Sequence, residues 1–170
     1  MTKKLSPQDT STTSLLFICL GNICRSPAAE AVMRKVLKDA DLTARFHVDS
    51  AGTGDWHIGE LADPRMRSAG TSRGYELTHR ARQVSADDFQ RFDLLITMDE
   101  SNYRNVARLA PSADAVAKIH RFPTFCTRHQ HREVPDPYHG SSADFSLVLD
   151  ILEDGCQGLL THLNTKTFKF

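Results

Sequence analysis

The 170-residue sequence lacks an excess of charge of either sign, because 21 lysines and arginines are balanced by 21 aspartates and glutamates. This balance argues against general binding of nucleic acid or membrane surfaces, which usually requires a basic excess. Long apolar runs are also missing: none approaches the roughly 18 residues that span a bilayer, so no membrane insertion is expected. The N-terminal residues carry no apolar stretch of the secretory type, so no signal peptide is predicted.

Cysteine is scarce as well. The sequence has four cysteines, and no two of them show the C-x-x-C spacing of a zinc site. A disulfide framework is not expected in a chain of this length without an export signal, so the thiols indicate a reducing cytoplasm. The four thiols are Cys19, Cys24, Cys126 and Cys156. Without disulfides, each of them is available either for a reaction or for packing.

The composition, with 40% apolar and 25% charged residues, is that of a globular protein. At about 150 residues per domain, the length predicts a single domain. Residues 1–13 are polar and rich in serine and threonine, so we expect a flexible N-terminal extension followed by one folded domain over residues 14–170.

Predicted strands and helices alternate along this domain. The apolar run 15–20 predicts a strand covered on both faces, and Ser26 followed by Pro27 favours a helix that begins there with Ser26 as its N-cap. The alternation predicts an α/β fold, with a central parallel four-stranded sheet and helices on both faces. The other predicted elements are strands around 46–48, 93–97 and 116–120, helices over 64–74 and 100–110, a loop over 121–140 and a C-terminal helix with an apolar stripe from Phe145 to Leu163.

The segment directly after the first strand combines a thiol with the features of an anion site. In parallel sheets, ligands bind beyond the carboxyl ends of the strands, and a loop that enters a helix N-terminus presents unpaired N–H groups. Gly21 and Asn22 permit unusual dihedral angles, and Arg25 offers a planar fork of donors for two phosphate oxygens. We therefore predict that residues 19–26 bind a phosphate or sulfate anion. Cys19 within this positive site is expected to ionise readily and to act as a nucleophile.

A nucleophile that removes phosphate from an alcohol or phenol needs an acid for the leaving oxygen. Asp136 is the best candidate, because prolines on both sides restrict its backbone. Tyr138 could line the mouth of the site and stack on an aromatic substrate. The alternative interpretation is a buried strand cysteine, a surface arginine and a solvated aspartate in an ordinary turn.

With these residues in view, the sequence resembles the low-molecular-weight protein tyrosine phosphatases over residues 14–165. The segment from Cys19 to Pro27 matches the family's phosphate loop in residue type and order, and Asp136-Pro137-Tyr138 matches its acid loop. Shorter matches are Asp49-Ser50-Ala51-Gly52-Thr53, Asp55-Trp56-His57, His79-Arg80-Ala81-Arg82-Gln83 and Met98-Asp99-Glu100.

The resemblance implies a role for each matched residue. Cys19 would attack phosphorus and form a phosphocysteine, while Arg25 and the loop amides bind the oxygens, so that neither a metal nor another cofactor is needed. Asp136 would protonate the leaving phenol and then activate water. The resemblance also implies that Ser26 donates a hydrogen bond to the thiolate, that Asn22 holds the loop shape with Ser50 and His79 bracing it, and that Leu20, Gly21, Ile23, Cys24, Trp56 and Tyr138 contact phosphate or substrate.

Two further implications concern single positions. In the family, a second thiol placed like Cys24 can form a reversible disulfide with the nucleophile and protect it from over-oxidation. His139 departs from family members that carry a second tyrosine at this position.

The leading prediction is a cytoplasmic phosphatase whose partners are phosphotyrosine-containing proteins. A protein arginine phosphatase of the same family is an alternative, although such members carry threonine in place of Ile23. A thioredoxin-coupled arsenate reductase would need two close downstream cysteines, whereas only Cys126 and Cys156 follow, thirty residues apart. A non-catalytic phosphotyrosine-binding module would be expected to lack Cys19, Arg25 or Asp136.

Overall fold

A computed structural model describes residues 11–165 and has four parallel strands in the order β2-β1-β3-β4. The strands are β1 (Thr13–Cys19), β2 (Phe46–Gly52), β3 (Leu94–Thr97) and β4 (Ile119–Arg121). The helices are α1 (Arg25–Asp39), α2 (Pro64–Ser72), α3 (Asp88–Arg91), α4 (Glu100–Ala107), α5 (Ala113–Val116) and α6 (Ser142–Thr165), with short 3-10 helices at Thr43–Arg45 and Phe122–Phe125.

Both faces of the sheet are covered, as the apolar run of β1 predicts. Alternate side chains of β1 point to opposite faces, so Leu15 and Phe17 join a core with α1 and α6. Leu16 and Ile18 join a second core on the other face, which includes Phe92 of the segment that enters β3. The predicted parallel four-stranded sheet with helices on both faces is therefore confirmed.

The start of α1 differs from the prediction. The helix begins at Arg25, and Cys24 occupies the N-cap position without a side-chain hydrogen bond to the first turn. The prediction that Ser26 caps this helix is wrong, because its hydroxyl lies against Asn22 and Cys19 instead. The first helical N–H groups consequently have no side-chain cap.

The region before the last strand also differs. Residues expected to open a strand at Val116 instead end the short helix α5, whose first turn is capped by the Ser112 hydroxyl. β4 therefore starts later, at Ile119, where it pairs with Leu95 of β3. The single capped turn of α5 outweighs the preference of Val116 for a strand.

The ends of α2 agree with the turn chemistry of the sequence. The helix begins at Pro64 and is capped by the Asp63 carboxylate, and Gly74 follows its end with a φ of 84°. Most of the predicted N-terminal extension lies outside the described residues, and β1 begins at Thr13. Within residues 11–165, no helix has both the length and the apolar character to cross a membrane.

Candidate active site

The loop that joins β1 to α1 is held by its carbonyl groups. Three backbone N–H groups from the segment after β2 donate to these carbonyls, whereas the N–H groups of residues 21–24 donate to no other described backbone group. The three bonds run from Thr53 to the Cys19 carbonyl (2.9 Å), from Gly54 to Leu20 (2.8 Å) and from Asp63 to Ile23 (2.8 Å). The bonds to the carbonyls fix the loop. Because the N–H groups of residues 21–24 have no backbone acceptor, they remain available to an anion at the start of α1.

A glycine at the end of β2 allows this close approach. A Cβ atom on Gly52 would lie 2.8 Å from the Leu20 carbonyl oxygen and 3.0 Å from the Asn22 nitrogen, both backbone atoms. Asn22 itself adopts a left-handed backbone with a φ of 55°, which asparagine tolerates better than most residues. The loop therefore depends on the type of residue at both positions.

Behind the loop, the Asn22 side chain forms hydrogen bonds in several directions. Its amide donates to the hydroxyls of Ser26 (2.8 Å) and Ser50 (3.0 Å), and its carbonyl oxygen accepts from His79 Nε2 (3.0 Å). The Ser26 hydroxyl lies 3.0 Å from the Cys19 sulfur and 3.2 Å from a backbone carbonyl oxygen of β2. The hydroxyl accepts from Asn22, and its one proton has two acceptors within reach, the Cys19 sulfur and the Ala51 carbonyl oxygen.

The same network ends in a cluster of one histidine and two carboxylates, of which Glu30 is buried while Asp49 and His79 are partly exposed. The closest ligand atoms of Glu30, Asp49 and His79 lie within 4.8 Å of one another. Two arginines neutralise the carboxylates, with Arg82 3.0 Å from Asp49 and Arg34 3.4 Å from Glu30. Burial raises the pKa of Glu30 to about 7 and lowers the pKa of His79. Because arginines already pair with these carboxylates, we interpret the cluster as an ion-pair network and not as a metal site.

Arg25 is buried in spite of its charge, with 2% of its side chain exposed. Its Nη1 donates to the Asp99 carboxylate at 2.7 Å and to the Val134 carbonyl at 3.0 Å, while Nη2 lies 3.4 Å from Asp136. Burial alone would lower the pKa of Arg25, but its electrostatic interactions with Cys19, Asp99 and Asp136 raise it above its ordinary value. The guanidinium is therefore charged and fixed beside the thiol.

Asp99 has two tasks at the carboxyl end of β3. Its Oδ2 accepts from Arg25, and its Oδ1 accepts from the Asn102 N–H at 2.8 Å and so caps α4. The Asn102 side chain accepts from the Asp99 N–H in return, which completes a capping box. On sequence alone, Met98-Asp99-Glu100 is a short family match without a predicted role. The signal available was an acidic residue just beyond a buried strand, at the edge of the sheet that carries Cys19.

Asp136 lies in a loop that is anchored at several points. The Tyr138 N–H donates to its carboxylate at 3.1 Å, and the Val134 N–H donates to the Met98 carbonyl at 2.8 Å. The buried Asp154 of α6 accepts from the consecutive backbone N–H groups of residues 127–129, and these bonds hold its pKa below the usual value against the opposing effect of burial. The loop is thus fixed where it passes Arg25.

These elements enclose a cavity of about 240 Å³ at the carboxyl edge of the sheet. Of the residues proposed from the sequence, nine line this cavity, whereas Asn22, Ser26, Ser50 and His79 lie in the network behind the loop. Those nine are Cys19, Leu20, Gly21, Ile23, Cys24, Arg25, Trp56, Asp136 and Tyr138, and His57 and His139 complete the lining.

The other cysteines have different surroundings. Cys24 lines the cavity but is only 4% exposed, and burial followed by the nearby Asp63 charge raises its pKa well above the usual range. Cys156 is fully buried in α6, and Cys126 lies against the Ile151 carbonyl. Since neither Cys126 nor Cys156 lines the cavity, they offer no partner for a sulfur shuttle from Cys19.

Comparison with known proteins assigns the chain to a class. The sequence model of the low molecular weight phosphotyrosine protein phosphatases matches residues 14–169. A crystal structure of a protein tyrosine phosphatase from Entamoeba histolytica, with Hepes in its active site, superposes with a TM-score of 0.88 at 47% identity and covers 91% of this chain and 98% of its own. This fold and this family of sequences are those of phosphatases, which are hydrolases.

Curated relatives narrow the assignment. A low molecular weight phosphotyrosine protein phosphatase of Schizosaccharomyces pombe is 42% identical over 152 residues, which cover 89% of this chain and 97% of the relative. Its counterpart in Homo sapiens is 39% identical over 151 residues, covering 88% and 95%. The chain belongs to the low molecular weight phosphotyrosine protein phosphatase family.

Proposed function

We propose that residues 14–170 hydrolyse phosphotyrosine monoesters in proteins through a phosphocysteine intermediate. The observation that carries this proposal is the convergence of Cys19, Arg25 and Asp136 on one cavity of about 240 Å³. This volume is below the roughly 300–1,000 Å³ of drug-sized pockets, which suits a single aryl phosphate better than a large ligand. The apolar and aromatic side chains of Ile23, Trp56 and Tyr138 line the same space.

In the first step, the Cys19 thiolate attacks phosphorus. A P–S bond forms and the P–O bond to the phenol breaks, while Asp136 transfers its proton to the leaving oxygen. Arg25 and the loop N–H groups bind the equatorial oxygens, and the rigid hold of Asp99 on Arg25 favours the transition state because the donors need not reorganise. The Ser26 hydroxyl supports the sulfur anion at 3.0 Å.

In the second step, water attacks the phosphocysteine. The Asp136 carboxylate takes a proton from the water, the P–S bond breaks, and inorganic phosphate leaves. The electron pair of that bond returns to Cys19 as a thiolate, which the Ser26 proton again stabilises. Both steps need Asp136 on the same side of the phosphoryl group, and its position 3.4 Å from Arg25 supports this arrangement.

We propose further that Cys24 protects the nucleophile from oxidation. Peroxide would convert Cys19 to a sulfenic acid, and the Cys24 thiol would then form an S–S bond with release of water. Cys24 lines the same cavity as Cys19, and this shared lining supports the proposal. The raised pKa of Cys24 keeps this residue a neutral thiol, so it does not compete with Cys19 as the nucleophile of the phosphatase reaction. The proposed working compartment is the reducing cytoplasm, where thiols can reopen the disulfide.

The substrate class is tested by turnover of matched phosphotyrosine, phosphoserine and phosphoarginine peptides. We expect hydrolysis of the phosphotyrosine peptide to exceed that of the others by about two orders of magnitude or more, because the cavity walls are apolar. Faster release of phosphate from phosphoarginine would replace the proposal by an arginine phosphatase. Binding of all three peptides without turnover would point to a binding module.

The redox proposal has its own test. After inactivation by peroxide and treatment with thiols, Cys24→Ser is expected to recover several-fold less activity than wild type. Cys126→Ser is the matched control, because Cys126 does not line the cavity. Equal recovery of wild type and Cys24→Ser would exclude the protective disulfide.

A further inference from the structure

The loop between β2 and α2 exposes apolar side chains, of which only Trp56 also lines the cavity of the proposed reaction. Trp56 is 67% exposed, Ile58 58% and Leu61 38%, and we refer to these three residues as the apolar rim. Six large apolar side chains are exposed within residues 11–165, and five of them lie in the lining of the cavity or on this loop beside it. Leu109, after α4, is the sixth. Exposed apolar surface that is concentrated at one site marks a binding surface.

Backbone hydrogen bonds fix the loop that carries the rim. The Gly54 N–H donates to the Leu20 carbonyl at 2.8 Å. The Gly59 N–H donates to the Ala81 carbonyl and the Ala81 N–H donates to the Glu60 carbonyl, both also at 2.8 Å. The next residue after Trp56 packs on the phosphate loop, since a Cβ on Gly21 would lie 3.1 Å from the His57 ring. The rim is therefore held in place before any partner arrives, which lowers the entropic cost of binding.

The charges on this loop restrict the partner. Residues 53–63 contain no lysine or arginine, whereas Asp55 and Glu60 are both exposed acids. Glu60 is 2.7 Å from the His57 ring, and Arg80 donates to the Gly59 carbonyl and offsets part of the negative charge. The remaining acidic character repels a carboxylate placed next to Trp56 and Ile58.

We propose that the apolar rim binds an apolar side chain of the substrate protein near the phosphotyrosine and discriminates against an acidic one. The proposal rests on the proposed function, since the phosphotyrosine in the cavity is what brings its neighbours to the rim. An extended chain rises about 3.3 Å per residue, so residues one to three positions away reach side chains that flank the mouth. Ile58 thus selects substrates without contact with the reacting phosphate.

The inference is tested with phosphotyrosine peptides that differ only in one residue, leucine or glutamate, placed one to three positions before or after the phosphotyrosine. Wild type is expected to prefer the best leucine peptide over its glutamate counterpart by about ten-fold in kcat/KM, as expected for burial of one aliphatic side chain and avoidance of a like charge. p-Nitrophenyl phosphate, which has no neighbouring residue, provides the reference rate for every variant.

Two variants assign the preference to the rim. Ile58→Ser should reduce the leucine preference about five-fold, with a larger loss on the leucine peptide than on p-nitrophenyl phosphate. Asp55→Asn should raise kcat/KM on the glutamate peptide. Leu109→Ser is the matched control, because it also replaces an exposed apolar side chain by serine but lies outside the cavity lining, and it should leave all rates at the wild-type values. Thermal unfolding of each variant checks that the fold is retained.

Equal kcat/KM for leucine and glutamate peptides in wild type would overturn the inference but leave the proposed function intact. A preference that survives Ile58→Ser unchanged would also overturn it. A dimer of this chain that dissociates on Ile58→Ser, without any peptide preference, would assign the rim to a second copy instead. Failure to hydrolyse any phosphotyrosine compound would be a different result, because it would refute the proposed function itself.

Discussion

The two sides of the phosphate loop have opposite physical character. Behind the loop, buried polar groups such as Asn22, Ser26 and Ser50 satisfy one another through hydrogen bonds. In front of it, Trp56 and Tyr138 are exposed and apolar. A buried polar network tolerates few arrangements, whereas an exposed apolar surface can accept varied partners. We infer from this difference that the buried network behind the loop supports the chemistry common to all substrates, whereas the exposed residues in front of the loop distinguish among substrates.

The strongest test of this division is Cys19→Ser, because Cys19 is the point where the two sides meet. We expect turnover of every substrate to fall by about four orders of magnitude or more, since the hydroxyl is a far weaker nucleophile. Phosphate binding, measured by calorimetry, should persist because Arg25 and the loop N–H groups remain. Residual turnover at the wild-type rate would refute the phosphocysteine mechanism.

Asp136→Ala should have the next largest effect, and it should depend on the leaving group. We expect a loss of about 10²- to 10⁴-fold in the rate of phenyl phosphate cleavage, which needs a proton on the departing oxygen. Cleavage of 2,4-dinitrophenyl phosphate should fall much less, because its phenolate leaves unprotonated. Rapid-quench measurement of phenol release checks this, and equal losses on both substrates would remove Asp136 from the acid role.

Asp99→Asn tests the role of the residues behind the cavity, because asparagine caps a helix as well as aspartate does. The cap of α4 should survive while Arg25 loses its 2.7 Å charge partner. We expect a fall of about 10- to 100-fold in kcat, with a smaller change in KM, because the transition state needs a fixed guanidinium more than the ground state does. Steady-state kinetics measure the split.

The control for Asp99→Asn is Ser112→Ala, which removes the cap of α5 away from the cavity. It should lower the free energy of unfolding by about 1 kcal/mol without a change in kcat. If Asp99→Asn showed the same pattern, its role would be structural only.

The smallest expected effect concerns stability and pH. The pKa of Glu30 is about 7 in the folded protein, above its ordinary 4.5, so the folded state binds the extra proton between these values. The carboxyl therefore stabilises the fold less as pH rises from about 4.5 to 7. The lowered pKa of His79 makes the stability rise with pH instead, but His79 is present both in wild type and in the Glu30→Gln variant used to test the effect.

Relative to wild type, Glu30→Gln should therefore gain about 1 to 3 kcal/mol in the free energy of unfolding between pH 4.5 and pH 8. Urea unfolding at several pH values measures this difference. Glu100→Gln is the control: Arg121 holds the pKa of this exposed carboxyl below its ordinary value, so its difference from wild type should stay flat above pH 5. A flat profile for Glu30→Gln as well would mean that Glu30 is already ionised.

The sheet could be predicted from the sequence, because a continuous apolar run such as that of β1 indicates a strand that is buried on both faces. Sequence reasoning failed at Ser26, where a good capping residue is used for a hydrogen bond to Cys19 that no local pattern reveals. It also failed at Val116, where one capped turn replaced a strand. For the site, the loop residues are consecutive and could be recognised together. Asp99 could not be given a role, since its contact with Arg25 joins residues 74 positions apart.

The hold of the Val134 carbonyl on Arg25, at 3.0 Å, has a consequence for biosynthesis. The thiol and the guanidinium leave the ribosome early and Asp99 follows in the middle of the chain, but Val134, which also holds the guanidinium, and Asp136, the proposed acid, are made about 110 residues after Arg25. A nascent polypeptide that ends before Asp136 lacks the proposed acid and is therefore expected to be inert. A protein truncated before Val134 should show no phosphatase activity, even where its first strands have formed.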